Sequence, residues 1–247
     1  RDVDHFYAQG LVPKNDVLAV QVALADARQT EIRVANTLAL AVATLGQSPV
    51  MWHAGTDFLR SKSLDRNSYT SGDWFNYLDF TLSDNGFGAG LPPAADNADK
   101  WVHMRPLLAN PALKPSAADM RLSHEMCLDL LRLRASSPLF RLADPAQVHA
   151  KVIFPVSGTW AQQPGVVVMV LDDTRGVPVD ERWATLVVVF NANPWPVRQL
   201  VPPVVGRPCR LHPVSAEGAD PVVRASRCDD GQFSVPGLTT AVFIEAR

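Results

Sequence analysis

Gly165 to Leu171 reads GVVVMVL, a run of apolar, mostly β-branched side chains bounded by Pro164 before it and the turn residues Asp173 to Gly176 after it. A run this short between turn signals predicts a buried strand rather than a helix. The same pattern recurs at Val152 to Phe154, Thr185 to Phe190 (TLVVVF), Cys209 to His212, Val222 to Arg224, Gln232 to Val235 and Thr240 to Glu245, with a further turn at Asp229 to Gly231. Short strands at this density predict an antiparallel β-sandwich of roughly seven or eight strands over residues 138–247. Asp172 and Asp173 then belong to a hairpin turn.

Upstream the character changes. Ser116 or Asp119 can cap a helix that runs to about Ser136, with Met120, Cys127, Leu128 and Leu131 on one face, Arg132 and Arg134 near its end and Pro138 stopping it. Glu31 to Gln47 (EIRVANTLALAVATLGQ) places Leu38, Val42 and Leu45 at helical spacing, the pattern of a buried helix in an α/β body. Pro49 to His53 reads as a short buried strand, with His53 a core histidine. Between Ala54 and Lys114 the periodicity fades into a long stretch rich in Gly, Pro, Asn and Asp. Long irregular loops inside compact proteins are usually functional.

Composition excludes several ligand classes. The 247 residues carry a net charge of -2 and only 19% charged side chains, so no basic surface calls for nucleic acid and no polybasic helix for anionic lipid. Apolar content of 47% and a mean hydropathy of +0.01 place the chain with globular proteins. Val17 to Ala25 and Leu38 to Gly46 are the most apolar runs, and both fall short of the roughly 20 residues that cross a bilayer. The chain begins at Arg1 without a leader pattern, and it reads as a piece of something longer. The three cysteines show no metal-type spacing and read as isolated thiols, with Cys209 and Cys228 the two that could pair.

The expected ligand is neutral, and one segment suits it. Arg60 to Asn76 (RSKSLDRNSYTSGDWFN) gathers seven charged or amide side chains and three aromatics. A polyol presents hydroxyls around apolar C–H faces, so its site pairs planar donors and acceptors with aromatic platforms. Arg66, Asp65, Asp73 and Asn76 supply the first, and Tyr69, Trp74 and Phe75 the second. Trp74, Phe75, Phe87 and Trp101 serve equally well as anchors of a long loop. Carboxylates at Asp57, Asp65, Asp73 and Asp79 leave room for a calcium ion but lack a regular loop spacing. No phosphate loop, Ser-His-Asp pattern or Cys-His metal set is visible, so no cofactor is expected.

HAGTDFLRSKSLDRNSYTSGDWFN (His53 to Asn76), GLPPAADNADKW (Gly90 to Trp101), LLRLRASSPLFRL (Leu130 to Leu142) and PGVVVMVLDD (Pro164 to Asp173) together carry a resemblance. From about Asp16 to Arg247 the chain resembles the C-terminal part of the pullulanase-type α-1,6-glucosidases, the starch debranching enzymes that include limit dextrinases. The resemblance implies an α/β portion followed by an all-β one: the last units of a (β/α)8 barrel over residues 1–137, with the substrate loop 54–114, and a C-terminal β-sandwich over 138–247. A full barrel takes about 250 residues, so this chain cannot close one alone.

The resemblance also implies retaining hydrolysis of α-1,6-glucosidic bonds in branched α-glucans such as amylopectin, limit dextrin or pullulan. Retention needs two carboxyl groups roughly 5 to 5.5 Å apart, and in this family both lie on earlier barrel strands with no counterpart here, so this chain alone is expected to be inactive. A third carboxylate, in a His-Asp-Asn motif, has its nearest match in Asn15-Asp16-Val17, where both flanking residues differ. Asp16 is thus either a transition-state stabiliser or an ordinary surface or capping carboxylate. Arg66 and Asp99 match residues that hold glucosyl units, Asn76 matches a polar residue of the same rim, and Trp74 is the aromatic candidate beside them. A non-catalytic glucan-binding or scaffold protein derived from such an enzyme is the competing expectation. Compartment stays open: plastid for a plant or alga, cytoplasmic or exported for a bacterium.

Overall fold

The computed structural model describes residues 37–247. They divide between two compact units, one of residues 53–123 and one of residues 37–52 with 124–247.

The larger unit is built on strands β1 (Val152–Ile153), β2 (Val166–Asp172), β3 (Trp183–Asn191), β4 (Val197–Leu200), β5 (Arg210–Leu211), β6 (Arg227–Asp229), β7 (Gln232–Val235) and β8 (Thr239–Ala246). One sheet runs β1-β2-β3-β8-β5 and a second runs β4-β7-β6. Every pairing is antiparallel, with Val168 opposite Val189 and Val188 opposite Val242 at the centre of the larger sheet.

That larger sheet is covered on both faces, which explains why its strands read as unbroken apolar runs. Met169, Leu171, Leu186, Val188, Phe190, Val242 and Ile244 form one core with Leu40, Ala41 and Leu45 of a helix through 37–45 and with Cys127, Leu130 and Leu133 of the helix Ala117–Ser136. Val168, Val170, Val187, Val189 and Phe243 form the other core with Val197, Phe233 and Val235 of the smaller sheet. Each fully buried Val or Phe contributes about 1.5–3 kcal/mol relative to exposure.

The sandwich forms as expected, with differences that have physical causes. Val197–Leu200 is a strand hidden between Pro196 and Pro202; it alternates buried and exposed residues and lies at an edge of the smaller sheet, where proline is tolerated nearby. Val222 to Arg224 is no strand: Val223–Ala225 is a 3-10 turn, and the pairing passes to Arg227–Asp229. Cys209 and Cys228 are disulfide-bonded, correcting the expectation of isolated thiols; the chain brings their Cα atoms to 6.2 Å, near the usual spacing of a disulfide. Cys127 is buried and lies outside the disulfide.

Helix Ala117–Ser136 is capped as expected: Ser116 Oγ accepts from the Asp119 amide at 3.1 Å while the Ser116 amide donates to Asp119 Oδ2 at 3.0 Å. Its buried residues are Met120, Ser123, Met126, Cys127, Leu130 and Leu133, so the stripe is rotated from the expected one and Leu131 is exposed. In the helix through 37–45, Leu45 is buried as expected and Val42 is exposed.

Pro49 to His53 is not a strand. Arg134 Nη1 donates to the carbonyls of Thr44 and Gly46, both at 2.6 Å, and Nη2 to that of Ser48 at 3.0 Å, capping the end of the helix and holding the following backbone in an irregular path. Among the described residues no strands pair in parallel and no (β/α)8 barrel is present. A barrel strand needs a parallel neighbour on each side, and Pro49 to His53 has none among these residues.

Asp172 and Asp173 do more than turn a hairpin. Asp172 on β2, Thr185 on β3 and Glu245 on β8 stand side by side across the sheet, and Arg207 reaches all three, with Nη2 2.5 Å from Thr185 Oγ1 and 2.7 Å from Glu245 Oε2. Asp173 is fully buried beside Lys151.

Candidate functional site

Residues 53–123 form few long elements: short helices at Asp73–Asn76, Ala94–Asn97 and Trp101–Leu108, joined by turns. Their order comes from polar side chains bonded to nearby backbone. Asp79 accepts from Thr81 Oγ1 at 2.6 Å, Ser83 Oγ at 2.7 Å and the amides of Asp84, Thr81 and Ser83 at 2.8 to 3.0 Å. Those hydroxyls and amides hold its carboxyl far below the usual aspartate range. Ser63 and Leu64 have φ of 48° and 63°, a left-handed pair fixed by the buried Ser63 hydroxyl, which donates to the Gly86 carbonyl at 2.9 Å.

These turns aim Arg66 at Asp99. Arg66 Nη2 donates to Asp99 Oδ1 at 2.8 Å across 33 residues of sequence, and to the Asp96 carbonyl as well. Asp99 Oδ2 also lies 3.6 Å from Lys100 Nζ. The pair is exposed. What places it is Asn97, which is 1% exposed: its Oδ1 accepts from the Arg66 amide at 3.1 Å, and its Nδ2 donates to Asp65 Oδ1 and to the Pro93 carbonyl, both at 2.9 Å. Partial burial pushes the Asp65 carboxyl up, but the hydroxyl of Ser71, the carboxamide of Asn97 and the amide of Asn67 outweigh it and leave the group below the ordinary range.

Asn76 and Trp74 lie in the same unit. Asn76 Nδ2 donates to the carbonyls of Ser68 at 2.9 Å and Gly72 at 3.3 Å, so its donor group is engaged in shaping the loop. Trp74 is 55% exposed, with its ring centre 4.4 Å from that of the buried Phe75. The indole lies over Gly90, where an added Cβ would come within 2.6 Å of Trp74 Cη2; glycine is required for that approach. Trp101 is tied down through Nε1, which donates to the Pro92 carbonyl at 2.9 Å.

Arg66 and Asp99 are therefore brought together directly, with Asn76 and Trp74 on the same unit, whereas Asp16 lies outside the described residues. His53, expected in the core, is exposed, its Nε2 3.4 Å from Arg60 Nη2. Asn97 is the residue that the sequence reading passed over. Its signal is an amide two positions before Asp99 in ADNADKW, a spacing that carries no meaning until the helix Ala94–Asn97 turns the side chain inward. Among the described residues no group of three or more His, Cys, Asp or Glu could hold a metal ion, and Asp65 and Asp79 are occupied by the chain's own donors. An exposed guanidinium–carboxylate pair can hydrogen-bond vicinal hydroxyls, and a half-exposed indole on the same unit can stack against a sugar ring.

Comparison with known proteins places the chain in a family. Residues 82–246 match the family described as alpha-1,6-glucosidases, pullulanase-type, C-terminal. The chain is 42% identical over 219 residues to the chloroplastic pullulanase 1 of Arabidopsis thaliana, covering 86% of this chain and 23% of that protein. It is 36% identical over 170 residues to a Klebsiella pneumoniae pullulanase, covering 67% of this chain and 15% of the other. The crystal structure of Klebsiella pneumoniae pullulanase complexed with maltotriose superposes with a TM-score of 0.77 at 31% identity, over 87% of this chain and 20% of that one. The chain thus spans less than a quarter of the length of these relatives. The matched segment takes in every strand of the antiparallel sandwich, from Val152 to Ala246, and the chain belongs to the C-terminal family of pullulanase-type alpha-1,6-glucosidases.

Proposed function

We propose that this chain is the C-terminal part of a debranching hydrolase that cleaves α-1,6-glucosidic linkages in branched α-glucans with retention, and that residues 53–123 form part of its substrate rim. The observation that carries the reading is the Arg66–Asp99 pair, 33 residues apart in sequence and 2.8 Å apart on an exposed surface. Surface ion pairs contribute little to stability, so a pair held in place by a buried amide is better explained by a ligand than by folding. Arg66 and Asp99 bind a glucosyl unit, Trp74 offers a face to its ring, and Asn76 keeps the loop in shape. The nucleophile and the acid/base belong to a longer protein in which this unit adjoins a (β/α)8 barrel.

The test uses the complete enzyme. Arg66→Ala and Asp99→Ala should each lower kcat/KM on branched dextrins by about 1–3 kcal/mol of transition-state stabilisation, since each leaves a desolvated sugar hydroxyl unpaired. Thermal transitions should stay in place. Wild-type kcat/KM in both variants would remove these residues from the cleft. The chain of 247 residues alone should release no maltotriose from pullulan; release would place the reacting carboxylates on it.

A further inference from the structure

The larger unit presents two tryptophans that its cores do not use. Trp160 is 99% exposed and Trp195 59% exposed. An indole left in water contributes nothing to a core, and on a mobile loop it would signify little. These loops are not of that kind.

Trp160 sits in a loop closed on itself. Val156 is buried beneath it, and the Val156 carbonyl accepts from the Thr159 amide at 3.1 Å and hydroxyl at 2.8 Å. Gln162 Oε1 accepts from the Gly158 amide at 2.8 Å while its Nε2 donates to the Val166 carbonyl at 2.7 Å. From below, the buried Gln199 clamps both sides of the neighbouring peptides, accepting from the Gln163 amide at 2.8 Å and donating to the Ala161 carbonyl at 3.0 Å.

Trp195 is held as firmly. The buried Asn191 donates through Nδ2 to the Trp195 carbonyl at 3.0 Å and the Pro236 carbonyl at 2.8 Å. A Cβ at Gly237 would come within 2.5 Å of the Pro194 backbone, so the turn between β7 and β8 passes directly against this loop. The two loops are also bonded to each other. Asn193 Nδ2 donates to the Pro164 carbonyl at 2.7 Å, and the Ala192 amide to the Gly165 carbonyl at 2.9 Å.

We propose that Trp160 and Trp195 form a second glucan-binding surface, carried by the β-sandwich unit itself and separate from the Arg66–Asp99 rim. The surroundings select the ligand. Neither FPVSGTWAQQPG (154–165) nor NANPWPV (191–197) contains a charged residue. A nucleotide, an acidic peptide or an anionic lipid would find no counter-charge; a neutral polyol with apolar C–H faces finds rigid indoles rimmed by hydroxyls and amides. Preorganised loops lower the entropic cost of capturing a flexible chain. The choice of an α-glucan rests on the function proposed above, while the existence of the surface does not.

Affinity electrophoresis of the full chain in gels containing amylopectin, with calorimetric titration of maltoheptaose, tests this. Wild type should be retarded. Trp160→Ala should weaken maltoheptaose binding by up to about tenfold, Trp195→Ala similarly, and the double variant should lose most of the retardation, keeping only what the Arg66–Asp99 rim contributes, since each substitution removes one stacking platform. Thermal transitions should not move, because both side chains lie outside the core. Arg66→Ala/Asp99→Ala should keep the retardation. Retardation lost in that variant but intact in Trp160→Ala/Trp195→Ala would overturn the surface and leave the proposed rim standing. Absence of retardation in wild type would also overturn it. So would self-association of the wild type that Trp160→Ala abolishes without any effect of glucan, which would assign the tryptophans to a protein contact.

Discussion

Lys151 Nζ stands 2.8 Å from Asp173 Oδ1, and both side chains are completely buried. Both groups have further partners: Lys151 also donates to the Arg175 carbonyl at 2.6 Å, and Asp173 Oδ2 accepts from the amides of Val179 and Asp180, both at 3.0 Å, and from the guanidinium of Arg247. The pair ties the helix Pro145–Lys151, the turn after β2 and the end of the chain into one knot.

Removing one member of such a pair exposes the cost of burying the other. Lys151→Met should destabilise the unit by roughly 3–5 kcal/mol, read as a lower urea midpoint at unchanged m-value. Arg247→Ala should cost less, because Asp173 keeps Lys151 and its backbone donors. Equal losses in the two variants would contradict the ranking.

His212 predicts an acid-sensitive stability. Burial, reinforced by the charge of Arg182, lowers its pKa to about 4. Its Nδ1 accepts from the Val214 amide at 3.1 Å at the start of the helix Pro213–Glu217, and its Nε2 is buried without a partner. The folded state therefore keeps the ring neutral at pH values where the unfolded chain, with a pKa near 6.5, already binds a proton. Stability from this group is complete above about pH 6.5 and is lost as pH falls to about 4, roughly 3 kcal/mol in all. His212→Asn keeps a cap acceptor and removes the titration. Urea midpoints between pH 7 and 4 should slope in the wild type and lose most of that slope in the variant.

The disulfide gives a third test. Cys209 and Cys228 close a loop over a separation of 19 residues, which constrains the unfolded chain by about 3 kcal/mol. Cys209→Ser/Cys228→Ser should lower the Tm, and dithiothreitol should shift the wild type toward the variant while leaving the variant unmoved. A reductant that shifts both would mean that its effect does not come from the Cys209–Cys228 bond.

Why some of this was legible in sequence and some not follows from the range of the interactions. GVVVMVL and TLVVVF announce strands because both faces of their sheet pack against a core, so nearly every position is apolar. The Pro138 stop and the Ser116 cap are likewise local. Pro49 to His53 misleads because a β-branched and aromatic run signals burial of side chains, whereas strand formation needs a partner's backbone; Arg134, some 86 to 90 residues away, fixes only the backbone just before it. The cysteine pairing and the Lys151–Asp173 pair are tertiary events with no local trace. At the candidate site, Arg66 and Asp99 were legible from their place in the motifs, while Asn97, which joins their two segments, was not.

That amide carries the last prediction. Asn97 makes its three contacts from a nearly fully buried position, to the Arg66 amide, Asp65 Oδ1 and the Pro93 carbonyl. Asn97→Ala removes all three bonds, while Asp65 Oδ1 keeps the Asn67 amide; the local loss is about 1–3 kcal/mol for each group left with neither another partner nor water. The loss falls on residues 53–123, which have few buried apolar residues, so it should appear as local opening. Amide hydrogen exchange should accelerate over 60–76 and 93–100 and stay unchanged in β2, β3 and β8. Asn97→Asp separates the bonds: it keeps an acceptor for the Arg66 amide but sets a second carboxylate against Asp65, so its exchange should be fast at neutral pH and slow again as the pair takes up a proton in acid. Unaltered exchange over 60–76 in Asn97→Ala would mean that the Arg66 loop is held by its own turns, and that Asn97 does not position the Arg66–Asp99 pair.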